Sequence, residues 1–445
     1  MIEMSPELIS FIMLGGILAG VVLTGYPLAL AIGGVSFIMG MLIFGPTVTL
    51  EVFYSRSYDM LNNYILLAVP GFVLMGAVLE HSGAAEGVFD ELYVWFGTIR
   101  GSLALATIVL GTIIAATVGV IAASVTLLTL TALPSMIKRG YDKSLAAGAV
   151  CAGGSLGILI PPSIMLVLYG PMANLSVGKM LIAAVIPGLF LSLLYCIFIL
   201  VKCKISPEIA PPIPPEEIKD SFLVRTYRLA LATGPLATLI LAVLGSIFFG
   251  IASPTEAAGV GSLATIILAA ANRRLDKKLL SEAAFTTMKV SGMVLLIGML
   301  ASSFTGIFMR AGCDEVVGEL IMAMPGGKWA IFALIMFICF MLGFFIDWLG
   351  ILFIMVPIIT PIAEKLGFDP LWFAMMVCIN LQMSFMTPPF AYAIFYVRGS
   401  ADPQLGLTTA DIIRGVIPYV FLIMVALVVF ILFPQFITYL PNKML

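Results

Sequence analysis

Apolar segments long enough to cross a bilayer recur along the whole chain, separated by short polar stretches. A helix of about 20 apolar residues spans the hydrocarbon core of a membrane. Residues 80–100 are more polar and are punctuated by glycine, which predicts a short amphipathic arm. The pattern therefore predicts an all-α polytopic membrane protein. The predicted spanning helices cover residues 5–25, 26–44, 64–79, 179–201, 229–250, 254–271, 285–308 and 412–433.

Two further apolar stretches, residues 142–169 and 370–396, are each interrupted by a pair of prolines. The pairs are Pro161-Pro162 and Pro388-Pro389. Two consecutive prolines remove two N–H donors and clash with the preceding turn, so the helix must open there. Open backbone at membrane depth is tolerated only where it lines a cavity or is buried in protein. The sequence therefore predicts two broken helices, and their duplication favours a binding region over simple helix kinks.

The chain contains an internal repeat at a spacing of 227 residues without a gap. Shared hydrophobic composition does not explain a gapless match of prolines, lysines, glycines and aspartates. We therefore predict two repeats, residues 1–201 and 229–445, joined by a Pro-rich basic linker at 202–228. The matched positions are Pro134, Lys138, Gly140, Asp142, Cys151, Pro161, Pro162 and Tyr169, which fall on Pro361, Lys365, Gly367, Asp369, Cys378, Pro388, Pro389 and Tyr396.

Each repeat also contains two short apolar arms around a tip, which is typical of a re-entrant hairpin. The first hairpin is predicted at about 101–136 and the second at about 329–361. The basic linker and the basic turn at 273–278 lie two helices apart and therefore on one side, which the positive-inside rule makes cytoplasmic. Counting outward places the first hairpin on the cytoplasmic side and the second on the outer side. The repeat is therefore predicted to be inverted.

Composition narrows the functional classes. Hydrophobic residues make up 61% of the chain and charged residues only 10%, against about 25% charged in soluble domains. The six cysteines are scattered without a CxxC pair, so we predict packing roles for them. The single histidine, His81, excludes a histidine-rich metal site, and no basic face supports nucleic-acid binding. An intramembrane enzyme is disfavoured because no buried nucleophile–base pair or metal cluster is evident.

The breaks themselves suggest the chemistry of a transporter. Half-helix N-termini present free N–H groups and a positive dipole end, which suit an anion. Half-helix C-termini and unwound turns present carbonyl oxygens, which suit a hard cation such as Na⁺. Glycines around Ser155 let the backbone approach an ion closely, and Ser384 and Thr387 add hydroxyl oxygens at the second break.

Three charged residues in apolar surroundings carry alternative interpretations. Asp347 sits where an ionised group is costly, so it either contacts a cation or substrate, or caps the second arm of its hairpin. Glu256, with Ser253, matches a capping box at a helix start, which we favour over a functional role. Arg310, near the outer end of its helix, either attracts anions or snorkels, and snorkelling is favoured.

Three segments together strongly resemble the large membrane subunit of tripartite ATP-independent periplasmic (TRAP) transporters. The resemblance extends over essentially the whole chain. The segments are GGSLGILIPPS at residues 153–163, SPTEAAG at 253–259 and PSMIKRGYD at 134–142.

This resemblance implies an elevator-type, Na⁺-coupled transporter in the bacterial cytoplasmic (inner) membrane. Its partners would be a small four-helix membrane subunit and a periplasmic substrate-binding protein. The substrate would be a small organic anion such as a carboxylate, sugar acid or sulfonate, and Na⁺ would be the coupling ion. A stand-alone ion-coupled carrier that needs no binding protein is the alternative.

The resemblance also implies site residues, with the substrate between the two hairpin tips. Many relatives have a Ser-Gly-Ser tip in the first hairpin, whereas this chain has Thr117-Val118-Gly119, which leaves backbone carbonyls and Thr117 for the first ion site. Ser384 stands where relatives often have glycine. The implied first Na⁺ site comprises Thr117, Val118, Gly119, Gly157, Ile160 and Pro161; the second comprises Gly343, Ser384, Thr387 and Phe390; the substrate residues are Thr117, Gly119, Ser155, Ser163, Asp347 and Thr387.

Overall fold

The computed structural model of the chain describes residues 4–214, 216, 218, 220–389 and 391–444, with the side chain of Glu86 excepted. Within these residues the secondary structure is entirely helical. Nine helices of the described part are long and apolar enough to cross a membrane. The all-α polytopic fold is therefore confirmed.

The first half of the chain contains eleven α-helices. A 3₁₀ turn at Tyr64–Leu67 leads into α4, and another at Leu156–Ile158 follows α8. The helices are α1 (Pro6–Thr24), α2 (Leu28–Ile43), α3 (Gly45–Leu61), α4 (Ala68–His81), α5 (Ala84–Phe96), α6 (Ser102–Val118), α7 (Ile121–Lys138), α8 (Lys143–Ser155), α9 (Ile164–Met172), α10 (Val177–Ala183) and α11 (Val185–Ile205).

The second half contributes ten more α-helices. Its 3₁₀ turns lie at Pro403–Leu405 and Pro441–Lys443, and a further one at Pro207–Ile209 lies between α11 and α12. The helices are α12 (Phe222–Phe248), α13 (Pro254–Ala271), α14 (Lys277–Arg310), α15 (Cys313–Met322), α16 (Gly327–Leu342), α17 (Trp348–Lys365), α18 (Pro370–Ser384), α19 (Tyr392–Ser400), α20 (Thr409–Leu432) and α21 (Gln435–Thr438).

The non-helical part of the linker is shorter than the predicted 202–228. Helix α12 begins at Phe222 because its first turns pack on α5. The Trp95 indole N–H donates to the Thr226 hydroxyl at 3.1 Å, and the Arg225 guanidinium donates to the Val94 carbonyl at 2.9 Å. The amphipathic arm thus gives the basic end of α12 a surface on which to stay helical.

The observed helix boundaries contain both predicted hairpins and both predicted breaks. Helices α6 and α7 are joined by only Gly119 and Val120, and α16 and α17 by residues 343–347. The first break separates α8 from α9, and the second separates α18 from α19. Both proline pairs lie in these opened segments.

The long helix α14 shows how the two hairpins are arranged. Thr126 of α7 shares a cavity with Thr286, towards the N-terminal end of α14. Glu364 of α17 shares a different cavity with Met309, towards the C-terminal end of α14. The two second arms therefore run from the middle of α14 towards opposite ends, as an inverted repeat requires.

The centres of the two broken helices touch each other. The Gln382 amide donates to the Ser155 hydroxyl at 3.3 Å, and these positions are 227 residues apart, the spacing of the repeat. Two equivalent positions can meet in this way only near an axis that relates the two halves. The breaks are therefore brought together at the centre of the molecule.

A polar contact ties the second hairpin to α14. Pro357 has no N–H, so the carbonyl of Phe353, four residues earlier in α17, lacks its intrahelical partner. The Thr305 hydroxyl of α14 is shared between this carbonyl, at 3.4 Å, and the Ala301 carbonyl of its own helix, at 3.0 Å. The ring of Phe353 packs where Gly298 leaves room on the same helix. We call this pair of contacts the α17 latch.

The structure gives Glu256 and Arg310, the other two charged residues with alternative interpretations, structural roles. Ser253 and Glu256 form the predicted capping box at the start of α13, with the Ser253 N–H donating to the Glu256 carboxylate at 2.7 Å. The Arg310 guanidinium lies 5.9 Å from the centre of the Phe44 ring at the end of α14. This position agrees with a side chain that snorkels along apolar surface.

Candidate functional site

A cavity of about 290 Å³ lies where the two hairpin tips meet the two breaks, and we call it the central cavity. The tips, both opened regions and one face of α14 all contribute to its wall. The lining residues are Gly119, Val120, Ile121, Ala122, Ile158, Ile164, Val290, Met293, Val294, Asp347, Trp348, Leu349, Phe385, Tyr392 and Tyr396.

Repeat-equivalent residues face each other across this cavity. Val120 and Asp347 occupy the same position in the two repeats, and so do Ile158 and Phe385. Val120 and Asp347 are also the residues that immediately precede α7 and α17. The central cavity therefore lies on the axis that relates the repeats.

Four helices begin at the wall of the central cavity, namely α7, α9, α17 and α19. Val120, Ser163 and Ala391, which precede α7, α9 and α19, make no side-chain capping bond. The first amides of such helices have no intrahelical acceptor. They give the cavity a positive potential, although no Lys, Arg or His lines it in the described part of the chain.

Asp347 is the one carboxylate on the described wall of the cavity. It lies near the amides of Trp348 and Leu349 and beside the Tyr392 hydroxyl, and Tyr396 stands close by. No capping hydrogen bond of normal geometry forms to α17. Asp347 thus lies on the cavity wall and beside the first amides of α17, and both roles predicted for it stay predictions.

The tip of the first hairpin rests directly against the first opened segment. Gly119 has a φ of +66°, and a Cβ added there would lie 2.6 Å from the Pro162 carbonyl oxygen. Gly157 similarly leaves room for the Ser124 side chain of α7. Thr117 is buried, and its hydroxyl donates to the Ile114 carbonyl at 2.8 Å. The residues of the implied first ion site thus lie on two segments that touch.

The second hairpin meets the second break in the same manner. A side chain added at Gly343 would overlap that of Ser384. The Ser384 hydroxyl donates to the Leu381 carbonyl at 2.6 Å, and the Thr387 hydroxyl donates to the Met383 carbonyl at 2.8 Å. Both oxygens keep lone pairs that can accept or coordinate. Phe390, the fourth residue of the implied second ion site, lies outside the described residues.

The residues implied for substrate binding fall into two groups. Gly119 and Asp347 lie on the wall of the central cavity, whereas the others are set back from it. The Ser155 hydroxyl donates to the Ala152 carbonyl at 2.9 Å, and the Ser163 hydroxyl donates to the Ile158 carbonyl. The hydroxyls of these serines, like those of Thr117 and Thr387, therefore already donate their hydrogen bonds to carbonyls of the adjoining backbone.

Several wall residues were not predicted from the sequence. Tyr392 and Tyr396 lie four residues apart at the start of α19 and so share one helix face. Tyr396 also repeats Tyr169, a signal that could have identified it. The contribution of α14, with Val290 and Met293, had no comparable signal, because valine and methionine are common in most apolar helices of this chain.

A second cavity of about 320 Å³ continues from the central one, sharing Val120, Ala122 and Val290 with it. It extends to Glu80 and His81, towards the predicted cytoplasmic side. A third cavity, about 470 Å³, lies towards the opposite end of α14. The central cavity is therefore continuous with space on one side only among the cavities described.

Comparison with known proteins gives one consistent family. The family model described as "Tripartite ATP-independent periplasmic transporter, DctM component" matches residues 15–436. The "C4-dicarboxylate TRAP transporter large permease protein DctM" of Pseudomonas aeruginosa is 30% identical over 416 residues, which cover 92% of this chain and 93% of that protein. The "Ectoine TRAP transporter large permease protein TeaC" of Halomonas elongata is 26% identical, over 94% of this chain and 95% of that protein.

A solved structure agrees at the level of the fold. The YdaH transporter of Alcanivorax borkumensis superposes with a TM-score of 0.59 at 16% identity, covering 88% of this chain and 89% of that one. The family match over nearly the whole chain is the stronger finding. The chain therefore belongs to the DctM family, the large membrane subunits of TRAP transporters.

Proposed function

We propose that this subunit imports a small organic anion from the periplasm to the cytoplasm, driven by Na⁺ and by an elevator movement. It would work with a small membrane subunit and a periplasmic substrate-binding protein, the three-part organisation that its family name implies. The relatives named above are permeases for a C4-dicarboxylate and for ectoine, so the family carries small organic solutes.

The observation that carries the proposal is the convergence of four helix starts on the central cavity. The amides of residues 121–123 and 164–166 have no hydrogen-bond acceptor among the described residues. Buried N–H groups without a partner are costly, so a ligand that accepts their hydrogen bonds is favoured. An anionic group fits this role, because discontinuous helices in transporters direct their N-termini at anionic substrates.

Na⁺ coupling is supported by the oxygen atoms next to each hairpin tip. At the first break these are the Thr117 hydroxyl and the backbone carbonyls of 157–161. At the second they are the hydroxyls of Ser384 and Thr387 beside Gly343. The opened segments and half-helix ends of transporters coordinate Na⁺ in this way. A cation bound beside each tip would also lower the cost of placing an anion between them.

The elevator movement is supported by how the second hairpin lies on α14. The cavity wall reaches Val294, whereas the cavity towards the other end of α14 begins near Ser302 and Thr305. Eleven residues separate Val294 from Thr305, which is about 16 Å at 1.5 Å per residue. A slide of that size would carry the tip of the second hairpin to the third cavity, and it would require the α17 latch to open.

The test is uptake of organic acids into proteoliposomes holding this chain and its small subunit. We expect uptake to require both an inward Na⁺ gradient and the binding protein. Uptake with Na⁺ but without the binding protein would support the stand-alone carrier instead. Uptake at the same rate with and without the Na⁺ gradient would contradict the proposed coupling of transport to Na⁺.

A pair of threonine variants sharpens this test. Thr387→Val removes a hydroxyl of the second ion site, and we expect it to raise the Na⁺ concentration for half-maximal uptake by roughly tenfold or more. Thr233→Val in α12 is the matched control, because its hydroxyl makes the same kind of bond to the carbonyl four residues earlier, at 2.7 Å. Equal Na⁺ dependence of the two variants would exclude Thr387 from the ion site.

A further inference from the structure

The walls of the central cavity are mostly apolar. Val290, Met293 and Val294 of α14 form one wall, and Ile158 and Phe385 come from the two opened segments. Apart from the thioether sulfur of Met293, which is a weak acceptor, none of these side chains can accept or donate a hydrogen bond. A polar substituent of a ligand that faced them would lose its water without gaining a partner.

The polar side chains of the described wall are gathered in one corner. Tyr392 and Tyr396 stand close to Asp347, while the tip of the first hairpin presents Val120, Ile121 and Ala122 to the cavity. The Thr117 hydroxyl of that tip donates to the Ile114 carbonyl and does not line the cavity. The cavity therefore offers backbone amides at the helix starts, the polar groups of Asp347, Trp348, Tyr392 and Tyr396, and mostly apolar side chains elsewhere.

We propose that the substrate is a small monoanion with an apolar body, such as a branched-chain monocarboxylate. Its charged end meets the free amides at the starts of α7 and α9, and its body packs against α14 and Phe385. The inference rests on the proposed function, because it takes the central cavity as the substrate site.

Size and chemistry both bear on this choice. A volume of about 290 Å³ corresponds to roughly ten waters at about 30 Å³ each, which suits a small acid. Each ligand hydroxyl buried without a partner weakens binding about 5- to 150-fold. A second carboxylate facing hydrocarbon costs more than a hydroxyl. Polyhydroxylated acids and dicarboxylates are therefore disfavoured relative to an apolar acid of the same length.

The experiment compares three acids with six carbons each: 4-methylpentanoate, gluconate and adipate. Their affinities for the purified complex of this chain and its small subunit are measured in Na⁺ from the ligand dependence of the thermal midpoint. Because no binding protein is present, the result reports on the membrane complex itself. We expect 4-methylpentanoate to bind at least about tenfold more tightly than gluconate or adipate.

A Val→Thr pair tests the wall directly. Val290→Thr keeps the shape of the side chain and adds a hydroxyl. It should therefore lower the affinity for 4-methylpentanoate several-fold and reduce the ratio of that affinity to the affinity for gluconate. Val260→Thr is the control, because Val260 is 59% exposed on α13 and does not line the cavity.

The possible outcomes separate the two proposals. Tighter or equal binding of gluconate or adipate overturns the monoanion inference, and so does the absence of binding by all three acids. If uptake in proteoliposomes still needs Na⁺ and the binding protein, the proposed function stands in either case. Uptake that needs neither overturns the proposed function, and the substrate inference falls with it.

Discussion

Replacing Gly119 by alanine tests whether the first hairpin tip must seat against the first break. An alanine Cβ would lie 2.6 Å from the Pro162 carbonyl oxygen, and the backbone φ of +66° is unfavourable for alanine. The left-handed backbone costs about 1–2 kcal/mol, and overpacking costs about 1–3 kcal/mol more. Gly25→Ala is the matched control, because Gly25 also has a φ of +66° but nothing within 4 Å of an added Cβ.

The difference between these two variants isolates the contact with Pro162. If uptake needs the seated tip, Gly119→Ala should lower Na⁺-driven uptake about 5- to 150-fold relative to Gly25→Ala, the range that 1–3 kcal/mol gives. Uptake is normalised to the amount of monodisperse protein after reconstitution, so loss of folding is separated from loss of transport. Equal normalised uptake by the two variants would refute the reasoning.

Three other substitutions probe the second repeat. Gly343→Ala should lower the thermal midpoint because the added side chain meets Ser384, and adding Ser384→Gly should restore the midpoint, since the first repeat has alanine and glycine at the equivalent positions. Failure of the double variant to recover its thermal midpoint would contradict the steric account. Thr305→Val removes the hydroxyl that donates to the Phe353 carbonyl. If this contact stabilises the present position of the second hairpin on α14, cysteine pairs introduced to cross-link the two in this position should react less efficiently. Unchanged cross-linking would exclude a role for the latch. Asp347→Asn keeps a good helix cap but removes the charge, so uptake should fall roughly tenfold or more at an unchanged thermal midpoint. Normal uptake by this variant would instead indicate that Asp347 is only a structural cap.

The sequence was most informative where a residue type dictates the local backbone. The proline pairs located both breaks because proline cannot donate to a helix. In contrast, α3 (Gly45–Leu61) was not predicted, because it is polar and does not resemble a spanning helix. Its surface packs on α14, with Met60 lying against Gly298. Such a contact between distant parts of the chain has no local signal.

The site residues also divide into those with a local sequence signal and those without one. Asp347 was identified because a charge within an apolar segment is unusual at membrane depth, and Gly119 was identified through the family resemblance. The wall formed by Val290, Met293 and Val294 was not, although these residues share one helix face. Valine and methionine are equally suited to a lipid-facing side and to a cavity-facing side of α14, so the residue types alone cannot distinguish the two. That distinction depends on which helix packs where.

The same physical requirement shapes the fold and the proposed activity. Broken helices leave backbone groups unpaired, and at membrane depth water is not there to satisfy them. Small residues at Gly119 and Gly343 let each hairpin tip approach a break closely enough to bury it. The amides at the starts of α7 and α9 are still left without acceptors in the described structure. An anion bound there, as proposed above, would supply the missing acceptors. In the proposed elevator movement, transport would then require the second hairpin to leave its contact with α14 only when the anion is bound.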